Sequence, residues 1–416
     1  MSHLLKILHL NQSDVSGGAA IAAYRLHQGL LAQQVESHLL VGKATIKSDH
    51  IAEIPRSRRV ENQLARLTNE LGLNYLNHIN TFGVSKHSFY KQADILNFHN
   101  LHTGYFNYLA IPSLTKTKPA VFTLHDMWSF TGHCAYSYDC DRWKTGCGQC
   151  PYLEIYPAIR RDNTHLEWKL KDWVYSQSNL TIVTPSRWLT EQAQQSMLNR
   201  FSIHYIPYGI DTELYQPLDS EQCRAVLGIP THKNVLMFGA DSLSDNRKGG
   251  DLLFQALSCL PDALKADTVL LMIGSNSESI SKAIGMQTIE LGYVGSDRLK
   301  AIAYSAADLF IFPTRADNLP LVLQESMACG TPMVSFKVGG VPDLVRPSVT
   351  GYLATPEDSD DFSSGIVQLL EDKALRDRMG HNCRTIALEE YPLKLQAQRY
   401  LELYEQLLKS NQKPTD

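Results

Sequence analysis

The sequence predicts an α/β protein of two doubly wound, Rossmann-like parallel-sheet domains facing across a cleft. Three observations point there. Short strand-like apolar runs alternate with helical stretches, the order that builds βαβ units. The alternation breaks at a Pro- and Gly-containing turn near residue 207 and then restarts. A chain of 416 residues also exceeds what one hydrophobic core organises, so two domains are the default.

The elements follow in order. Residues 4–10 are an apolar run, 11–16 a polar turn, and from Gly17-Gly18 a helical pattern continues to about residue 33. The opening lacks a basic leader and a small-residue cleavage site, so it reads as a first buried strand. Strand-like runs recur at 37–41, 95–98, 120–124, 180–184 and 203–206, with helices over 166–176 and 187–196. Residues 56–90 read as mostly helical, polar and basic. The turn at 207–211, Pro-Tyr-Gly-Ile-Asp, marks the boundary. Strands are then expected at 235–239, 268–273, 289–293, 309–313, 333–336 and 351–354. Helices are expected at 250–260, 296–305, 362–371 and 374–388, then an amphipathic helix over 392–408 and a polar tail. The domains expected are 1–207 with a Cys-rich insert at 127–157, 208–391, and a terminal segment 392–416 packing back on the first.

Composition excludes some classes. Apolar content of 44% and charged content of 20% are ordinary for a soluble globular protein. No window approaches 18 uninterrupted apolar residues, so no transmembrane helix is expected and the protein reads as cytoplasmic. A net charge of −4 argues against nucleic-acid binding. Residues 1–206 hold 20 basic and 15 acidic residues, whereas 207–416 hold 19 and 28. Thirteen of the 15 histidines lie in the first half. A basic first domain suits an anionic acceptor or the inner face of an anionic membrane; scattered solvated charge is the simpler reading.

The densest motif is 317–335, DNLPLVLQESMACGTPMVS, after the run LFIFP. Strand, polar loop, helix, Gly-Thr-Pro turn and strand follow one another, which puts the loop at the carboxyl end of a parallel strand. The first helical turn offers N–H groups to an anion, and Asp317 and Glu325 flank it. That combination suits a phosphorylated sugar. His125 and Asp126 end another strand, where the histidine can enter a cleft and the aspartate can cap a helix. His99 and His102 end a third, with acceptor, metal-shell and structural roles all open. Cys134, Cys140, Cys147 and Cys150 fall within 17 residues and end in a Cys-x-x-Cys pair. A structural zinc is favoured over reduced thiols or two disulfides.

These residues together resemble the retaining nucleotide-sugar glycosyltransferases of family 4, with the GT-B fold. Ser16-Gly17-Gly18 is similar to that family's N-terminal glycine loop, Leu124-His125-Asp126 to its histidine-bearing strand end, and Pro207-Tyr208-Gly209-Ile210-Asp211 to its inter-domain motif. Arg247-Lys248-Gly249-Gly250 resembles the Lys-Gly donor motif, and Gly339-Gly340-Val341-Pro342-Asp343 a further family signature. The stretch around TLHDMWSFTG is similar to enzymes of exopolysaccharide assembly of the colanic-acid type. The resemblance implies a first acid, Asp317, on the donor sugar, where glutamate is usual, and a second, Glu325, on the ribose. It implies amides near Asn318, Leu319, Pro320 and Leu321 on the diphosphate, with Gly17 and Gly18 also approaching it. Lys248 is implied as the diphosphate cation. Relatives carry Gly-Arg where this chain has Gly239-Ala240, and Arg247 can supply that second cation. His125 is implied near the transferring centre, orienting and stabilising, with Lys248 and Asp317 beside it. No cofactor is implied for the chemistry. The function expected is transfer from a nucleoside-diphosphate sugar to a glycan or lipid-linked acceptor. The alternatives are a nucleotide-sugar epimerase and a non-catalytic module that binds nucleotide-sugars or glycans.

Overall fold

The structure is a computed structural model that describes residues 4–242, 245–275 and 285–411. The first three residues and the polar tail from 412 onward lie outside the described residues. Two compact units make up the chain: Met1–Gly209 with Lys394–Asp416, and Ile210–Leu393.

The first unit is built on seven parallel strands: β1 (Lys6–Ser13), β2 (Glu36–Lys43), β3 (Ile51–Glu53), β4 (Ile95–Phe98), β5 (Ala120–Thr123), β6 (Leu180–Thr184) and β7 (Ile203–Tyr205). Their order is β3-β2-β1-β4-β5-β6-β7. Every residue of β4, β5 and β6 is buried. Strands covered on both faces need no polar side, which is why they read as mostly apolar runs. Ile7 of β1 stands opposite Ser37 on one side and Ile95 on the other. The connection direction reverses between β1 and β4, the point where such sheets leave a ligand crevice beyond the carboxyl ends. Helix α1 (Gly18–Ala32) follows β1, and helix α2 (Arg58–Glu70) opens the 56–90 stretch. Helix α3 (Thr164–Ser176) follows the Cys-rich insert.

The second unit repeats the plan with six parallel strands: β8 (Asn234–Ser242), β9 (Thr268–Ser275), β10 (Gln287–Glu290), β11 (Leu309–Phe312), β12 (Met333–Phe336) and β13 (Gly351–Ala354). The order β10-β9-β8-β11-β12-β13 reverses between β8 and β11. Helix α4 (Gly250–Ser258) follows the loop after β8, and helix α5 (Leu321–Ala328) follows the loop after β11.

Helix α6 (Leu393–Asn411) carries Ala397, Tyr400, Leu403 and Tyr404 on one stripe. That stripe packs into a cluster of the first unit with Ile7, Leu26, Leu30, Ile95, Val121 and Val183. Asn97 donates to the Tyr404 hydroxyl at 2.8 Å, and the Thr123 and Tyr400 hydroxyls meet at 3.0 Å.

Two strands differ from expectation. β3 is an edge strand of three residues, none fully buried, so no apolar run announces it. β10 lies at Gln287–Glu290 instead of 289–293, because its ladder sets Gln287 opposite Val269 and Ile289 opposite Leu271. Tyr293, counted there as a strand residue, is 76% exposed. Among the described residues no helix is long and apolar enough to cross a membrane.

Candidate active site

In the second unit, the two loops at the strand-order reversal meet through side chains 69–70 residues apart. Lys248 Nζ lies 2.8 Å from Asp317 Oδ2, and Arg247 Nη1 lies 3.0 Å from the same oxygen. Arg247 also reaches Ala316 O at 3.0 Å and Asp245 at 3.2 Å. Backbone bonds lock the loops together: Arg315 N donates to Arg247 O at 2.8 Å, and Thr314 Oγ1 to the same oxygen at 3.0 Å. Two glycines let the chains come this close. A Cβ on Gly249 (φ +70°) would stand 1.9 Å from Pro313 O, and one on Gly339 (φ +49°) 2.0 Å from Asp317 O. Both positions need left-handed backbone as well as the missing side chain.

Burial alone would raise the Asp317 carboxyl, but the Lys248 and Arg247 charges outweigh it and hold the group below its ordinary value. Burial lowers Lys248, with Asp317 opposing. Asn318 is buried and its N–H donates to Asp317 Oδ1 at 3.0 Å. Leu319 is buried, Pro320 caps α5, and Leu321 is its first residue. Glu325, one turn further and buried, accepts from the Tyr304 hydroxyl at 3.3 Å. Two cations, a carboxylate that already engages both, and a helix start thus meet at the strand-order reversal. Such a site suits a dianion that competes with its own internal counter-ion.

In the first unit, Gly17 caps α1 with φ +87°, and a Cβ on Gly18 would meet nothing within 4 Å. The sequence reading missed Asp14, which is fully buried just past β1. It accepts from the Val15, Thr45 and Ile46 N–H groups at 2.8, 2.6 and 2.7 Å. Burial opposes ionisation there, but the Ile46 and Thr45 bonds prevail and its carboxyl sits low. This pins the glycine loop to the loop after β2. The available signal was an acid standing directly after a buried strand.

His125 lies two residues beyond β5 with both ring nitrogens engaged: Nε2 with His99 Nδ1 at 3.1 Å, and Nδ1 with Tyr208 Oη at 2.6 Å. His99 Nε2 in turn meets His9 Nδ1 at 2.9 Å. His102 belongs to a different pair, 2.8 Å from Asp126, whose other oxygen accepts from Trp128 N–H at 2.9 Å. Asp126 thus closes a turn and holds a histidine. His125 belongs to the first unit, whereas Lys248 and Asp317 belong to the second.

The zinc expectation for Cys134, Cys140, Cys147 and Cys150 is not supported. All four are free thiols, and among the described residues no three His, Cys, Asp or Glu groups are arranged to hold a metal ion. The sulfurs have other partners: Cys147 accepts from Gly132 N–H at 3.2 Å, and Cys150 faces His133 Nε2 at 3.4 Å. Burial is the largest cause that pushes the Cys134 thiol up to about 12 and Cys147 up to about 11.

Comparison with known proteins supplies the family context. Residues 16–214 match the model for Glycosyltransferase Family 4, and residues 219–385 the model for Glycosyl transferases group 1. WcaC of Escherichia coli K12, named as a colanic acid biosynthesis glycosyl transferase, is 27% identical over 367 residues, covering 83% of this chain and 86% of that protein. Sucrose-phosphate synthase from Thermosynechococcus elongatus shares the fold with a TM-score of 0.72 at 18% identity, over 97% of this chain and 100% of that one. HepE from Anabaena, solved with UDP-glucose, does so with a TM-score of 0.67 at 16% identity over the same shares.

Proposed function

The chain belongs to the group 1 glycosyltransferases, with a Family 4 first half, and from that premise we propose that it moves a sugar from a nucleoside-diphosphate sugar to a glycan or lipid-linked acceptor in cell-surface polysaccharide synthesis. The observation that carries the donor assignment is the pairing of Lys248 and Arg247 with Asp317 at the strand-order reversal of the second unit. A diphosphate entering there takes the two cations and frees the Asp317 carboxylate to face sugar hydroxyls. Cleaving the glycosyl–phosphate bond leaves charge on the diphosphate, which fixed cations and the α5 first turn stabilise. The Asn318–Leu321 amides and Gly17-Gly18 are assigned to the phosphates and Glu325 to the ribose, while His125 orients the transferring centre.

The remaining assignments follow from the same reading. Transfer retains the anomeric configuration, and the chemistry uses these side-chain cations without a metal. The protein works in the cytoplasm, with the basic first unit against the inner membrane face, where a lipid-linked acceptor is presented.

The test is a panel of UDP-, GDP-, ADP- and TDP-sugars read by ligand-induced thermal shift, then transfer assays on the stabilising donor. Product anomers read by NMR decide retention, and assays with chelator decide metal use. Lys248→Ala and Asp317→Ala should each abolish most turnover. Unchanged turnover in both variants refutes the site.

A further inference from the structure

Helix α2 carries an acid inward and apolar side chains outward. Glu61 is 1% exposed, whereas Val60, Leu67 and Leu71, the residue that caps the helix, are 44%, 62% and 36% exposed. Polar contacts fasten the inward face. Glu61 Oε2 accepts from Arg56 Nη2 at 2.7 Å and faces His78 Nδ1 at 3.3 Å, and the Asn77 amide donates to Glu61 O at 3.4 Å. The end of the helix is fastened too: the Asn163 amide donates to Leu71 O, and Arg160 pairs with Glu70. The outward apolar side chains take no part in these contacts.

Val60, Leu64, Leu67 and Leu71 recur at i, i+4, i+7 and i+11, which sets them along one side of a helix. Arg59 and Arg66, seven residues apart, run along another side, and Arg58 stands in the first turn. All three arginines are exposed, and none of their guanidinium groups has an ion-pair or hydrogen-bond partner among the described residues. Both acids of the helix are already engaged, Glu61 by Arg56 and Glu70 by Arg160. The 3₁₀ segment Ile79–Lys86, which starts beside His78, repeats the pattern. Ile79 and Phe82 are 40% and 48% exposed and, three residues apart, share one side of a 3₁₀ turn; Lys86 at its end is exposed.

An exposed apolar stripe rimmed by polar groups marks an interaction surface. The charge selects what covers it. A second copy seated across a two-fold axis would set this arginine-bearing patch against itself, like charge on like. A nucleic acid would meet the arginines and leave the apolar stripe in water. A bilayer with anionic headgroups takes both, the apolar side chains at the acyl boundary and the arginines, on their long stems, at the phosphates.

We propose that α2 and the Ile79–Lys86 segment form the surface by which the first unit docks on an anionic lipid bilayer. Val60, Leu67, Leu71, Ile79 and Phe82 are the side chains that enter it, and Arg58, Arg59 and Arg66 meet the headgroups. This rests on the assignment of the first unit to a membrane face and names the residues of that contact. It also gives a use to the basic stretch 56–90, which the donor site leaves out.

The experiment is co-sedimentation of the full-length protein with phosphatidylcholine vesicles, with and without an equal share of phosphatidylglycerol. The expected result is binding to the anionic vesicles that weakens as salt is raised, and little binding to phosphatidylcholine alone. Arg59→Gln combined with Arg66→Gln should lower the anionic-vesicle partition by about tenfold or more. Leu67→Ser combined with Phe82→Ser should lower it by about tenfold as well, since the stripe supplies the apolar part of the binding. All four side chains are exposed, so the melting curves should stay in place. If the serine variant melts early, the arginine variant and the salt dependence still decide. Wild-type binding that neither variant weakens overturns this surface and leaves the membrane assignment standing. A wild type that binds no vesicle overturns both. A dimer in sedimentation velocity that Leu67→Ser dissolves, without vesicle binding, gives the stripe to a second copy and overturns the proposal. No turnover is needed for any of these readings, so a failure of the glycosyl-transfer assignment is seen separately.

Discussion

Asp317 shows how one side chain can be read twice. The strand, loop and helix order suggested a phosphorylated-sugar site, and the family resemblance implied that Asp317 meets the sugar. The resemblance put Lys248 and Arg247 in the same site, but their direct pairing with Asp317 was not legible, because they lie 69–70 residues away and reach it through the parallel register of β8 and β11. Paired this way, Asp317 engages both cations, and in the function proposed above it is also the group assigned to the sugar. Asp317→Asn should therefore tighten binding of the bare nucleoside diphosphate while lowering kcat by about two orders of magnitude. The gain should be about 1 kcal/mol, or roughly fivefold, since the pair is partly exposed and screened. Calorimetric titration of the variant with the diphosphate checks it. Weaker binding would show that Asp317 does not hold the cations back. Asp14 and the His9–His99 pair escaped the sequence reading for a related reason. Each is a polar residue within or just past a buried strand, where only the tertiary partners reveal whether it is tolerated or used.

At the scale of elements, the Cys-rich insert was visible as a cluster and expected to hold zinc, for which the described residues show no arranged site. What fastens it is a lysine from the next helix. Lys171 of α3 has no exposed surface, donates to Trp128 O at 2.6 Å and Thr131 O at 2.9 Å, and lies 3.7 Å from the centre of the Trp128 ring. Nothing in the local pattern marked this residue, since lysines on a polar-looking helix are normally solvated. Lys171→Met removes the ammonium from two buried carbonyls, at about 1–3 kcal/mol each, and leaves Trp128 O only the long 3.5 Å bond from the Thr131 hydroxyl. Urea unfolding should show that loss, and limited proteolysis should cut within 131–163. Excess chelator should leave the wild-type melting curve in place; a fall of several degrees would restore the metal reading. Helix α6 is held by similar means. Tyr404→Phe strands the buried Asn97 amide and should cost about 1–3 kcal/mol in the same urea assay. An unchanged midpoint would mean that the Asn97–Tyr404 bond adds nothing to the hold on α6. The edge strands β3 and β10 resisted reading because short, half-exposed strands carry no apolar run to find.

At the scale of the molecule, the uneven histidine content becomes a difference in acid stability between the two units. Histidines number 13 in residues 1–206 and two in the remainder. Burial, the largest cause in each case, lowers His9, His27, His99 and His125, with His27 brought to about 3 and His125 to about 4. An unfolded histidine titrates near 6.5, so below that pH the unfolded chain binds protons that the folded unit refuses. Stability from these groups is intact above pH 6.5 and falls as the pH drops towards the folded values. Each fully depressed histidine then costs about 1.4 kcal/mol per pH unit, so four cost roughly 5 kcal/mol between pH 6 and 5. Domains are stable by about 5–15 kcal/mol, which places acid unfolding of the first unit near pH 5. The low carboxyls Asp14, Asp126 and Asp317 weaken the fold only on protonation, below their unfolded value of 3.8, in a separate and lower window. All five tryptophans, at 128, 143, 168, 173 and 188, lie in the first unit. An acid titration should therefore show a tryptophan fluorescence transition between pH 6 and 5, while much of the helical circular dichroism persists to lower pH. His27 Nδ1 lies 2.7 Å from the Ser37 hydroxyl, and replacing it with Gln, which keeps a polar partner there, should move the fluorescence midpoint to lower pH by removing one of these protonation sites. A single transition seen by both probes, or a midpoint that His27→Gln does not move, would mean that the histidine-rich core does not set the acid limit of this chain.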